Sequence, residues 1–144
     1  MRILRLVEFA VASTFLFTLI FGILEFCLVV YAGAYVAFAA QQGTRYAMVR
    51  GADWTSACAS AESYGCQATA DNVKNHILNM AHPGLNLTAG NIEVTWPARG
   101  TCAEGSNAQG CQVQVTVRYT FQMNLPFYSP SIPLSSISKE TIQD

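Results

Sequence analysis

The 144-residue chain predicts an α+β fold, with one long N-terminal transmembrane helix packed on a small antiparallel sheet of three to four strands. Three observations carry that reading. A predominantly apolar run extends from Leu6 to Ala40, residues 111–125 alternate strictly between apolar and polar, and four cysteines bracket two short polar loops. Hydrophobic residues make up 51% of the chain and charged residues 12%. A soluble domain usually carries about 25% charged residues. The deficit is concentrated at one end, since Glu25 is the one Asp, Glu, Lys, Arg or His between positions 9 and 44. Disorder, nucleic-acid binding and a plain cytosolic globule are all poorly served by such a sequence. The net charge of −1 points to no charged partner.

The first element is a helix over roughly residues 4–50, with its transmembrane segment at about 6–30. Crossing a bilayer takes about 20 apolar residues, and Leu6–Ala40 supplies more, with no proline. A cleaved secretory signal has an apolar core of about 7–15 residues followed by a break. Here the pattern continues, so we read an uncleaved anchor. Arg2 and Arg5 flank its start, whereas Arg45 and Arg50 lie far beyond its exit. That asymmetry predicts a cytoplasmic N-terminus. Tyr31 and Tyr35 suit the outer interface. Past them, small residues recur at Ala39, Gly43, Ala47 and Gly51, a stripe that lets another backbone come close. The second half of the helix is therefore expected to pack on something, either its own domain or a neighbouring subunit.

Residues 51–144 form the second unit, an extracytoplasmic α+β domain. Ninety-odd residues hold a modest core, which two disulfides would brace. Cys58, Cys66, Cys102 and Cys111 allow three pairings. Local pairing, Cys58 with Cys66 and Cys102 with Cys111, is simplest because each pair closes one loop. Zinc prefers tighter cysteine spacings joined by histidine, and His76 and His82 fall on different faces of a helix, so no metal is expected. Disulfides place this unit in an oxidising compartment. Cys27, inside the span, reads as a small buried hydrophobe. A second helix is predicted near 68–81, with Val73, Ile77 and Met80 at helical spacing and His82-Pro83-Gly84 as its stop. Asn91–Trp96 reads as a short strand stopped by Pro97. Residues 111–125 form the clearest strand, with one buried and one wet face. A weaker strand is predicted at about 133–142. Trp54, Tyr64, Trp96 and Tyr128 are candidates for a binding surface or for rim packing.

Two carboxylates stand out. A carboxylate in an apolar span is costly and needs a partner. Glu8, near the cytoplasmic edge, has two ways out: snorkelling or pairing with Arg5, or an amine or Arg on a neighbouring helix. Glu25 lies far along the span and calls for a partner on a neighbouring helix. Together with the small-residue stripe, these make Glu8, Glu25, Ala39, Gly43, Ala47 and Gly51 the expected subunit-packing positions.

The segment Val7-Glu8-Phe9-Ala10, the apolar run, and Gly22-Ile23-Leu24-Glu25-Phe26 resemble the N-terminal region of TadE-like proteins, the pseudopilins or minor pilins of tight-adherence pilus systems. Ala39–Ala47, reading AAQQGTRYA, is similar to the stretch that closes the family's conserved region. The resemblance implies a bacterial inner-membrane protein that crosses once and joins or primes a filament of pilin-like subunits. It also implies that Glu8 matches the pilin glutamate that pairs with the N-terminal amine of an adjacent subunit. Placing Glu8 fifth in a mature chain would put the cut between Ile3 and Leu4, where no Gly stands. Thr14 occupies the place of the family's usual proline, which implies a straighter helix. Partners on this reading are other pilin-like subunits and, before assembly, membrane lipid, with no nucleic acid and no cofactor. No phosphate-binding Gly-rich loop or GxSxG nucleophile elbow is present, so the function implied is structural rather than enzymatic. The alternative is a membrane-anchored extracytoplasmic binding module of a secretion or adhesion system.

Overall fold

A computed structural model describes residues 2–52, 54, 66–80, 83–125 and 128–143. Helix α1 runs from Arg2 to Val49 without a break. At about 1.5 Å per residue it is about 72 Å long, more than twice the hydrocarbon thickness of a bilayer. With no proline or internal glycine pair to kink it, the backbone ladder continues past Thr14. Ser13, Thr14 and Thr18 each donate their hydroxyl to a carbonyl one turn earlier, at 2.9–3.0 Å. That satisfies these hydroxyls inside the helix, as a water-free surrounding demands.

The two halves of α1 live in different surroundings. From Leu6 to Tyr31 its large apolar side chains other than Val29 are exposed, Phe9 at 72% and Phe15 at 74%. From Ala32 onward one face is covered: Ala32, Val36, Ala39, Ala40 and Ala47 are at most 1% exposed. The cover is the rest of the chain. Helix α2 (Ala70–Asn79) begins at Thr69, whose hydroxyl accepts from the Asn72 N–H at 3.2 Å, an N-cap that satisfies an otherwise orphan donor. It buries Val73 and Ile77 against α1. A 3₁₀ turn, Ala89–Asn91, leads into strand β1 (Ile92–Thr95). Strands β2 (Gln112–Gln122) and β3 (Ser131–Thr141) complete an antiparallel meander in the order β1-β2-β3.

Strand β2 presses Val113, Val115 and Val117 onto α1, all at 0% exposure, as its period-two pattern predicts. Strand β3 pairs with it from Gln112↔Thr141 to Gln122↔Ser131, without a bulge. Pro133 fits there because β3 is an edge strand, where one row of backbone groups needs no partner. The two helices and the sheet share one core.

Three ties fasten the far end of α1. The Gln143 N–H donates to the Met48 carbonyl at 2.9 Å, Ala68 N–H to Arg50 at 2.8 Å, and Ala52 N–H to Asn107 at 2.9 Å. Asn107 lies in a loop closed by the Cys102–Cys111 disulfide. Gly105 and Gly110 turn that loop with positive φ, a conformation that favours glycine. Cys66 is also disulfide-bonded. Cys58, its expected partner, lies outside the described residues, as do Tyr64 and His82.

Candidate functional site

The most unusual surface is the exposed half of α1. Arg5 and Glu8 are both exposed on it. From Arg5 to Glu25 the helix rises about 30 Å, the thickness of a hydrocarbon core. The helix is long and apolar enough to cross a membrane, and it fits a single-pass anchor.

Glu25 does not sit in the middle of that span. It is half-buried at the upper end, where α1 meets the base of the sheet. There it lines a cleft of about 390 Å³ with Leu28, Tyr31, Asn86, Tyr119, Gln122 and Asn124, among others. The cleft forms for local reasons. Leu85 and Leu87 are buried in the core, which turns the intervening Asn86 outward. Past Phe121 the alternation carries on beyond the end of β2, and Gln122 and Asn124 are exposed. The Tyr31 hydroxyl donates to the Pro83 carbonyl at 3.3 Å and fixes the base of the domain to α1. Among the described residues nothing pairs with Glu25.

The small-residue stripe faces inward. Ala39, Gly43, Ala47 and Gly51 are all buried. A Cβ on Gly43 would meet Ile77 Cδ1 at 2.7 Å and Val115 Cγ1 at 3.1 Å. Of the two destinations open from the sequence, own domain or neighbouring subunit, the structure gives the first. Within the chain itself, α2 and β2 fill the space beside Gly43. Gly51 also lies past the end of the helix, which closes at Val49. The opposite face of the same stretch stays open, with Phe38 at 46% and Val49 at 48% exposure.

Some of the other candidates resolve into packing and others stay exposed. His76 stacks on Tyr46 at 4.4 Å, and the Arg50 guanidinium lies 4.4 Å from the Tyr46 ring centre. Trp96 packs on the core and borders a cleft with Glu93, Pro97, Glu104 and Gln114. Tyr128 is exposed at 69%. Cys27 is a free thiol exposed on the apolar half of α1 rather than buried, because no second helix covers it in a single chain.

Among the described residues, one apolar helix, its outer half sheathed by its own small sheet and its inner half bare, fits a single-pass anchor carrying an α+β head. The family model described as TadE-like protein matches residues 6–45, the bare half and most of the sheathed one. The match covers under a third of the chain, and most of the head lies outside it. No curated protein and no solved structure matches the chain.

Proposed function

We propose that the chain is a structural pilin-type subunit, a TadE-like pseudopilin or minor pilin, that serves pilus assembly and adhesion. The observation that carries this reading is the bare half of α1. Apart from the half-buried Val29, its large apolar side chains from Leu6 to Val30 are 41–74% exposed. A bilayer covers such a surface before assembly. In a filament, helices of other subunits would cover it, replacing lipid contacts with contacts of similar polarity. The chain would then keep its N-terminus in the cytoplasm and its head outside the inner membrane until extraction. Glu8, exposed one turn inside Arg5, is the carboxylate offered to a neighbouring subunit's amine. Such a pair fixes register, since a carboxylate in an apolar bundle is costly until it finds its cation. No turnover of a substrate is involved.

The test is incorporation. Glu8→Ala chains are expected to insert in the membrane at wild-type level and to vanish from sheared surface filaments. Normal incorporation of Glu8→Ala would remove this mechanism. The second reading, an anchored binding module, has the cleft beside Trp96 in its favour. On that reading Glu8→Ala is silent, and Trp96→Ala abolishes function.

A further inference from the structure

We infer that the cleft under the head is a binding site for the ammonium headgroup of an ethanolamine phospholipid in the outer leaflet, with Glu25 as the acceptor. This goes beyond the filament reading and concerns the chain in its membrane.

The position of the cleft follows from the length of the helix. With Arg5 at the inner edge of the hydrocarbon, Glu25 falls about 30 Å further on, at the outer edge. Tyr31, at the upper lip of the cleft, lies about 9 Å above Glu25 along the helix. The headgroup layer on one side of a bilayer is roughly 5–8 Å thick. The lower part of the cleft, around Glu25 and Leu28, therefore opens into the headgroup layer, and its Tyr31 lip stands just above that layer.

Its chemistry selects a cation that can donate hydrogen bonds. Among the described residues the lining holds one carboxylate, Glu25, and the carboxamides of Asn86, Gln122 and Asn124, with no Lys, Arg or His. A headgroup whose outermost charge is negative meets no cation there. A primary ammonium has three N–H donors, enough to reach the carboxylate and two amide oxygens at once. A choline group has no N–H to offer. Glu25 is thus satisfied by a lipid in the membrane, without a second protein chain.

Zero-length carbodiimide coupling of the full-length chain in nanodiscs tests the assignment. The reagent joins a carboxylate to a touching primary amine as an amide, with the oxygen lost to the reagent as a urea. In phosphatidylethanolamine discs, the peptide holding Glu25 is expected to carry one lipid mass. In phosphatidylcholine or phosphatidylglycerol discs it is expected to carry none. Native mass spectrometry should also show at least fivefold greater retention of ethanolamine lipid than of glycerol lipid. Glu25→Gln is expected to abolish both signals, and Asn86→Ala to reduce retention with the head still folded. A Glu25 peptide coupled to an amine of a second copy would overturn the proposal in favour of a subunit contact. No adduct, or retention unchanged in Glu25→Gln, would overturn it outright. Filament incorporation of Glu8→Ala is read separately, so the two readings fail independently.

Discussion

Adding a single methyl group at Gly43 tests whether the sheathed half of α1 is held by its own domain. The new Cβ would stand 2.7 Å from Ile77 Cδ1 and 3.1 Å from Val115 Cγ1. Ordinary carbon contacts lie at about 3.5–4.0 Å. Ile77 and Val115 are both at 0% exposure, so neither has free space to retreat into. Two effects oppose each other. Replacing glycine by alanine in a helix gains about 1 kcal/mol. Overpacking a filled core costs about 1–3 kcal/mol. Gly43→Ala is therefore expected to destabilise the head by about 0–2 kcal/mol, where an exposed helical glycine would give a gain. Ile77→Val deletes the clashing Cδ1 and alone costs about 0.5–1.5 kcal/mol. In the double variant the cavity left by one change receives the methyl added by the other. The cycle should show a favourable coupling of about 1 kcal/mol. For a domain of this size that is roughly 4–8 °C in Tm. Thermal unfolding of the four full-length proteins in one detergent, followed by near-ultraviolet circular dichroism, measures it. Additive effects, or a Gly43→Ala protein more stable by the full 1 kcal/mol, would refute the packing of this stripe against α2 and β2.

Three further perturbations have defined outcomes. Replacing Cys102 and Cys111 by serine releases the loop that holds Asn107 against Ala52; the head should lose about 2–3 kcal/mol in denaturant unfolding. Thr44, fully buried, shares a 2.9 Å hydrogen bond with Ser138 across the helix–sheet contact; Thr44→Val should cost about 1 kcal/mol, and Thr44→Val with Ser138→Ala no more than that. Glu93 and Arg118 pair at 2.9 Å across β1 and β2, but their side chains are 53% and 65% exposed; Glu93→Gln should shift stability by under about 0.5 kcal/mol in either direction.

What the sequence made legible was whatever repeats along the chain. The apolar run spelled out α1, and the alternation of Val113, Val115 and Val117 spelled out β2 and its buried face. Strand β3 was the faintest, and its structure explains why. Ser131, Ser135, Ser136 and Ser138 blur the alternation, so its eleven residues are set by pairing with β2 rather than by its own propensity. The stripe of Ala39, Gly43, Ala47 and Gly51 announced a close approach without naming the partner. The partners, Ile77 and Val115, are far away in sequence. The same distance hid the surroundings of Glu25. Read along the helix it is a carboxylate stranded in apolar sequence. In three dimensions Asn86, Gln122 and Asn124 come down around it. Only the meander, which brings the Pro83–Asn86 segment and the end of β2 to one end of the sheet, makes it a cleft.

On the proposed function, the bare half of α1 is covered by other pilin-like helices in the fibre. Phe15 and Leu24, on opposite sides of that half and 74% and 54% exposed, are the positions to probe. A benzophenone side chain placed at either one, and photolysed in intact cells making surface fibres, reports directly on what touches the helix. Covalent adducts to a second pilin-like helix are expected in the fibre fraction from both positions. Adducts to acyl chains alone, in every fraction and from both positions, would contradict it.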